Sequence, residues 1–453
     1  MQLTEGQSLG PPISPAAPFS AIRTSPHSAF RVKICATLRS PLVGPTMRRR
    51  TPELNRMRFL ATAVRGTERI LMEELIELGF EAPTMVPGGV VFTGTIADGM
   101  RSCLWLRTAQ RVMALIGKEV IRAQSQLYDA VRSLPLLDWF TADATISVQV
   151  QGGRELFADS RYAALVIKDA VVDTVRQAYG RRPNVDKDNA DLQLVVLADG
   201  DTFRFLIGLN GAPLAFRGYR RKDVEAPIRE SLAAALIRYS EWDRKSPFCD
   251  PMCGSGTLLV EAGWMATDTA PGILRGFGFQ QWPFFEAELE PSWKQLRDEA
   301  LQRRLPAVRG IILGCDIDRK AVESSRSHLA ATGLVQSVAL RESNALELEP
   351  FRKQGWIVTN PPYGERIGGG VEEAGANLVG FMDRVSSFYE HTVAMVMDRG
   401  LQEHYIARKP RKSLGTFNGP IATRFLVFRN RPAPSTEEPS LPDLPPAQEP
   451  PTS

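Results

Sequence analysis

The stretch Phe248-Cys249-Asp250-Pro251-Met252-Cys253-Gly254-Ser255-Gly256-Thr257 constrains the fold more than any other part of the chain, because it reads as a strand, a glycine-rich turn and the start of a helix over 258–266. A strand that feeds a helix through such a turn is the building unit of an α/β sheet. Gly254 and Gly256 let backbone approach a ligand, and the helix start presents unpaired N–H groups to a carboxylate or phosphate. The third glycine of a dinucleotide fingerprint is missing, and so is the Gly-Lys-Ser/Thr of a P-loop. A second strand, Gly310-Ile311-Ile312-Leu313-Gly314-Cys315-Asp316, ends in an acid placed to accept hydrogen bonds from ribose hydroxyls. Together these features point to a cofactor that contains a nucleoside. Asp316 lies some 60 residues beyond Gly256, against roughly 20 in the simple dinucleotide fold. An insertion around 277–304 is therefore expected between the first helix and the second strand.

A third segment carries chemistry. Thr359-Asn360-Pro361-Pro362-Tyr363-Gly364-Glu365-Arg366 follows the apolar Trp356-Ile357-Val358 and reads as a strand ending in a rigid turn. Pro361 holds Asn360 extended, and the two prolines remove two N–H donors, leaving the Asn360 and Pro361 carbonyls free to accept hydrogen bonds from a ligand. Tyr363 supplies a flat face. Acceptors beside an aromatic ring suit a planar base bearing an exocyclic amine. Alone, this turn is equally well an ordinary proline-rich strand end; the glycine turn and Asp316 favour the ligand-binding reading.

These segments, Asp250 to Thr257, Asp316 and Asn360 to Tyr363, resemble the S-adenosylmethionine loop, the ribose acid and the amino-methylating motif of class I methyltransferases. Phe216-Arg217-Gly218-Tyr219-Arg220 and Ala226-Pro227-Ile228-Arg229-Glu230-Ser231-Leu232-Ala233-Ala234-Ala235 narrow the resemblance to the THUMP-containing guanine-N2 RNA methyltransferases, over residues 58–429. It implies S-adenosylmethionine as cofactor, held by Asp250, Gly254, Gly256, Thr257, Asp316 and Asn344, with Asn344 standing where the family has an acid against the adenine amine. It also implies a catalytic turn of Asn360, Pro361, Pro362 and Tyr363, and a structured RNA partner, rRNA before tRNA. DNA-adenine and protein-glutamine methyltransferases share the Asn-Pro-Pro-Tyr logic, and an idle RNA-binding assembly factor is the rival from another class. Asp318 and Glu365 are acid-base candidates on position alone.

The fold expected is a Rossmann-like, doubly wound class I methyltransferase domain at 229–431, preceded by small α+β modules. Alternating strands and helices over 57–122 fit a ferredoxin-like module, and 123–212 fit a THUMP RNA-binding module with helices over 125–134 and 160–179. A linker spans 213–228. Lys168, Arg176, Arg181, Arg182 and Lys187 offer a phosphate-facing surface, or else an ordinary charged helix face. Phe216, Tyr219 and four basic residues at 217–222 suit a phosphate grip. Residues 1–56 and 432–453, rich in proline, read as disordered, with translation starting at Met47 or Met57.

Composition bounds the rest. A net charge of +4 permits a nucleic-acid partner without demanding one, and no apolar run is long enough to span a membrane. Cys249 and Cys253 have no second pair and no nearby histidine, so they read as reduced thiols and not metal ligands, consistent with a cytoplasmic protein.

Overall fold

The computed structural model describes residues 56–187, 190–220, 228–350, 352–362 and 370–432, all within one compact unit. The segments read as disordered thus lie almost wholly outside the described residues. So do Tyr363, Glu365, Arg221 and Lys222.

The first half is β1 (Met57–Thr62), α1 (Glu68–Glu77), β2 (Thr84–Val86), β3 (Gly89–Gly94), α2 (Ile96–Trp105), β4 (Arg111–Val120), α3 (Leu127–Arg132), β5 (Ile146–Gly152), α4 (Ser160–Tyr179), β6 (Leu192–Asp199) and β7 (Thr202–Gly208). The two expected modules do not hold separate sheets. β4 pairs antiparallel with β7, and the strands join in the order β2-β3-β1-β4-β7-β6-β5. α1 to α4 cover one face, burying Leu71, Leu75, Met100, Leu127, Val131 and Ile167. Local chemistry fixes the helix starts: Thr95 and Asp98 close a reciprocal capping box on α2, and the Asp159 carboxylate accepts from the Arg161 N–H at α4.

The second half contains α5 (Glu230–Tyr239), β8 (Phe248–Asp250), α6 (Thr257–Ala266), α7 (Glu290–Arg303), β9 (Ile312–Asp316), α8 (Arg319–Thr332), β10 (Val338–Glu342), β11 (Trp356–Thr359), α9 (Gly370–Ser386), β12 (Thr392–Asp398), α10 (Arg399–Tyr405), β13 (Lys412–Asn418) and β14 (Ile421–Arg429). Its sheet runs β10-β9-β8-β11-β12-β14-β13, parallel from β10 to β12 and antiparallel at β14 and β13. β9, β11, α3, α4 and α6 fall within two residues of the sequence expectation. The short β2, the hairpin strand β13 and helices α7, α9 and α10 are additions. In the parallel part, order reverses at β8, where β9 leaves on one side and β11 on the other. A crevice forms at the carboxyl ends of such strands.

The expected insertion does lie between α6 and β9, and its packing is what the sequence did not disclose. Phe277, Phe279, Trp282, Phe285 and Trp293 belong to the core under the first sheet. Trp282 meets Trp139 edge-on at 4.9 Å. Burying side chains of this size contributes roughly 1.5–3 kcal/mol each, so a segment of the second half holds the first half in place.

Buried charge completes that junction. The Glu74 carboxylate on α1 accepts from the N–H groups of Arg107 and Thr108 at 2.8 and 3.0 Å. Arg107 donates to the Thr269 carbonyl at 2.7 Å. Arg217 donates to the Arg107 carbonyl at 2.6 Å and to Glu261 on α6 at 2.9 Å. Both side chains of the Arg217–Glu261 pair are at most 1% exposed. Sequence reasoning put Arg217 in a phosphate grip; the structure spends it on the junction.

Candidate active site

The crevice at the switch point is a cavity of ≈ 590 Å³. Its first wall is the turn after β8. Gly254 has φ +54° and nothing within 4 Å of where a Cβ would sit, so its open side faces the cavity. Gly256 has φ +80°, and a Cβ there would meet Ser325 Oγ at 2.8 Å, so it stands behind the turn and lets α6 close onto α8. The turn is held from outside: Gly254 N–H donates to Asp316 Oδ2 at 2.8 Å, Cys253 N–H to the Cys315 carbonyl at 2.8 Å, and Ser325 Oγ to the Gly254 carbonyl at 2.7 Å. Asp316 Oδ1 accepts from the Asp318 N–H at 3.0 Å. The acid read as a ribose acceptor therefore also pins the glycine turn, with carboxylate lone pairs left over for a ligand. Asp318 itself caps α8.

The second wall is the turn after β11. Thr359 Oγ1 donates to Asp250 Oδ1 at 2.8 Å, and the Met252 N–H donates to the same oxygen at 3.2 Å. Burial pushes the Asp250 carboxyl up to about 7, against the lowering effect of these two donors and with a further upward push from the Asp316 charge. Asn360 follows Thr359. Its Oδ1 is buried and has no hydrogen-bond partner among the described residues. Pro361 is buried beside it and Pro362 is exposed.

The cavity brings together Asp250, Gly254, Thr257, Asp316, Asn344, Asn360, Pro361 and Pro362. Asn344 is only partly available, because its Oδ1 accepts from the Leu346 N–H at 3.0 Å and caps the short turn 345–347. Sequence reasoning missed several lining residues. Ile317, 70% exposed directly after Asp316, is an apolar residue with no reason to face water. Glu373, Asn377 and Phe381 line the cavity from α9, at the four-residue spacing that marks one helix face, a signal present in the sequence.

The linker before α5 contributes buried anchors. Tyr219 packs edge-on against Trp264 and His328. Arg220 pairs with Glu230 at 3.3 Å and donates to Thr257 at the start of α6. Of the described residues in the expected phosphate grip, only Phe216, 65% exposed, reaches solvent freely. On α4 and after it, Lys168, Arg176 and Arg181 are paired with Asp169, Asp173 and Asp143, while Arg182 and Lys187 remain exposed. Cys103, Cys249, Cys253 and Cys315 are buried and free. Among the described residues no cluster of three or more His, Cys, Asp or Glu side chains could hold a metal, and no helix is long and apolar enough to cross a membrane.

Residues 58–113 match the RlmL ferredoxin-like domain, 123–204 the THUMP domain, and 217–424 the RMKL-like methyltransferase domain. The chain carries an RMKL-like methyltransferase domain behind a ferredoxin-like and a THUMP domain. It is 34% identical over 393 residues to the ribosomal RNA large subunit methyltransferase K/L of Allochromatium vinosum, covering 83% of this chain and 52% of that protein. The same-named protein of Syntrophotalea carbinolica is 34% identical over 82% of this chain and 53% of its own length. The chain thus spans about half the length of the curated relatives it matches. Among solved structures, the protein SMU.472, solved in complex with SAH, is 26% identical with a TM-score of 0.73, covering 84% of this chain and 100% of that one. TrmN from Thermus thermophilus, 20% identical with a TM-score of 0.60 over 83% of this chain and 99% of its own, shares the fold.

Proposed function

We propose that the chain transfers a methyl group from S-adenosylmethionine to the exocyclic N2 of a guanosine in structured RNA, in large-subunit rRNA before tRNA. The observation that carries this reading is the Asn360 side-chain oxygen, buried without a partner on the wall of the cavity that also holds Asp316 and the open side of Gly254. An orphaned buried acceptor costs about 1–3 kcal/mol, a cost recovered when a ligand brings a donor. Both the cavity volume and the open glycine side fit a nucleoside cofactor together with a base.

When bound, S-adenosylmethionine supplies a methyl group already activated on a sulfonium sulfur. Little acid-base help is then needed. The guanine amine is a poor nucleophile because its lone pair is delocalised into the ring. Asn360 Oδ1 and the Pro361 carbonyl accept hydrogen bonds from its two N–H groups, which favours the geometry that frees the lone pair and stabilises the positive charge that develops, and the nitrogen's surplus proton is then lost to solvent. Asp316 binds the ribose hydroxyls, Asn344 accepts from the adenine amine with its remaining lone pair, and Gly254 gives backbone access along the cofactor. Tyr363, next in the turn, stacks on the extruded base. The ferredoxin-like and THUMP domains supply RNA affinity, consistent with the curated relatives being named for large-subunit rRNA.

Nucleoside mass spectrometry of rRNA, tRNA and DNA from cells with and without the gene tests this assignment. Loss of N2-methylguanosine from large-subunit rRNA is expected. Its loss from tRNA alone would move the substrate, and loss of a methyladenine from DNA would assign the amine-binding turn to another base.

A further inference from the structure

A second cleft, of ≈ 190 Å³, lies where the turn after β1, the start of α5 and the turn between β13 and β14 meet. It has about a third of the volume of the catalytic cavity, too little for a second cofactor of the same size. Arg65, Gln110 and Arg229 are its long polar side chains, Leu232 and Phe417 are apolar, and no lining residue is acidic. Arg65 lies over the Phe417 ring at 5.7 Å. Its segment is tied to the hairpin, since the Arg65 carbonyl accepts from Thr416 Oγ1 at 3.0 Å.

Both arginines are exposed, and neither has a carboxylate partner among the described residues. Arg69, Arg161, Arg319 and Arg399 each carry an acid within 3.2 Å, whereas Arg65 and Arg229 are unpaired among the described residues, like Arg182, but, unlike it, share one cleft. Two cations that share a cleft without an acid repel each other, and an anion placed between them relieves the repulsion. The guanidinium fork suits phosphate oxygens in particular.

Position specifies the anion further. Ile228 lines the catalytic cavity, and Arg229, the next residue, lines this cleft. Arg229 is extended, with φ −68° and ψ 145°, and successive side chains of extended backbone point to opposite sides. The two sites therefore flank one stretch of chain, close enough for a single polymer strand to reach both.

We infer that the cleft binds a phosphodiester of the same RNA strand that delivers its nucleotide to the catalytic cavity. This rests on the RNA-methyltransferase reading above. Arg65 comes from the ferredoxin-like domain and Arg229 from the methyltransferase domain, so the cleft registers the strand against both.

The test uses the full chain, with protein-free large-subunit rRNA from cells lacking the gene as probe. Binding is measured between about 50 and 200 mM salt for the wild type, for Arg65→Gln with Arg229→Gln, and for Arg65→Lys with Arg229→Lys. Each lost phosphate contact should flatten the slope of log affinity against log salt by about 0.7 to 0.9. Affinity at low salt should fall roughly tenfold or more for the glutamine pair. The lysine pair, which keeps both charges, should retain most of the slope, and calorimetric affinity for S-adenosylhomocysteine should be unchanged in all three, which separates phosphate binding from misfolding. An unaltered slope and affinity in the glutamine pair would overturn the inference while leaving the RNA reading intact. A wild type that binds no RNA would overturn the RNA reading and this inference with it. Tight binding of inorganic phosphate alone, lost in the glutamine pair while the RNA slope stays unaltered, would give the cleft to a free anion instead.

Discussion

In the junction between the two sheets, Glu74 accepts three hydrogen bonds, from the Arg107 and Thr108 N–H groups and from Thr108 Oγ1, and Arg217 donates to Glu261 and to two carbonyls. In the cavity at the switch point, Asn360 Oδ1 accepts none from the described residues, and Asp250 meets its donors through one oxygen. Both regions bury polar groups, at similar depth and a short way apart along α6. The junction spends most of them on its own structure, leaving only Arg107 Nη1 and Glu261 Oε2 of this network without a hydrogen bond among the described residues, and so fixes the two sheets against each other. The cavity holds acceptors in reserve, positioned by strands whose interiors are fully packed. Charged groups paired within the chain report on stability, and an orphaned acceptor on the wall of an open cavity reports on ligand binding, so substitutions in the two regions should separate accordingly.

The largest effect is expected at the junction. Glu261→Ala leaves the Arg217 charge buried without its partner, which should cost about 3–5 kcal/mol of stability, read as a lower denaturation midpoint. The pair change Arg217→Met with Glu261→Leu should recover much of that loss, because both desolvated charges leave together. A single variant as stable as the wild type would break the distinction from the junction side.

Asn360→Ala should do the reverse. Stability should hold or rise, since an unpartnered buried acceptor is removed, while the single-turnover methylation rate falls by a factor on the order of 100 or more. RNA affinity should change little. A normal rate in this variant would remove the amine-acceptor role from the turn.

Asp316→Ala lies between the two regimes, because its carboxylate both pins the Gly254 turn and faces the cavity. Calorimetry should show S-adenosylmethionine affinity down roughly tenfold or more, from the loss of hydrogen bonds to a charged acceptor. Loss of the turn contact predicts a modest fall in melting temperature as well. Unchanged cofactor affinity in a folded variant would make Asp316 purely structural.

The smallest effect concerns a proton. With its carboxyl raised from an ordinary 3.8 to about 7, Asp250 holds more protons in the folded chain than in the unfolded one across that window. Its contribution to stability is therefore greatest at low pH and declines as pH rises toward 7. A sulfonium cation in the cavity favours the carboxylate form. Binding of S-adenosylmethionine near neutral pH should then release up to one proton, seen as a dependence of the binding enthalpy on the ionisation heat of the buffer. S-adenosylhomocysteine, which lacks the sulfonium charge, should release less, and Asp250→Asn should abolish the difference.

How much of this was legible beforehand follows from the range of each interaction. Helix Ser160–Tyr179 was readable because periodicity and its Asp159 cap act within a few residues. Strand Trp356–Thr359 was readable from a short apolar run closed by prolines. Three-residue β2 carries too little pattern to register, and β13 gains its identity only by pairing with β14. The same limit applied to charge. Arg217, Arg220 and the free Arg229 look alike in a basic segment, yet the first two are buried against acids and the third faces a cleft.

By itself the sequence determined the chemistry on offer: a strand, glycine turn and helix at 248–266, an acid ending the next strand, and an acceptor turn at Asn360. These are local, set by glycine and proline backbone limits and by apolar spacing. Only the tertiary structure decided which polar groups are saturated, that the insertion at 277–304 serves the first sheet's core, and that two sequence modules share one sheet. Each of those outcomes depends on contacts between residues tens to hundreds of positions apart, and whether a buried polar group finds a partner is settled only when the chain has closed around it.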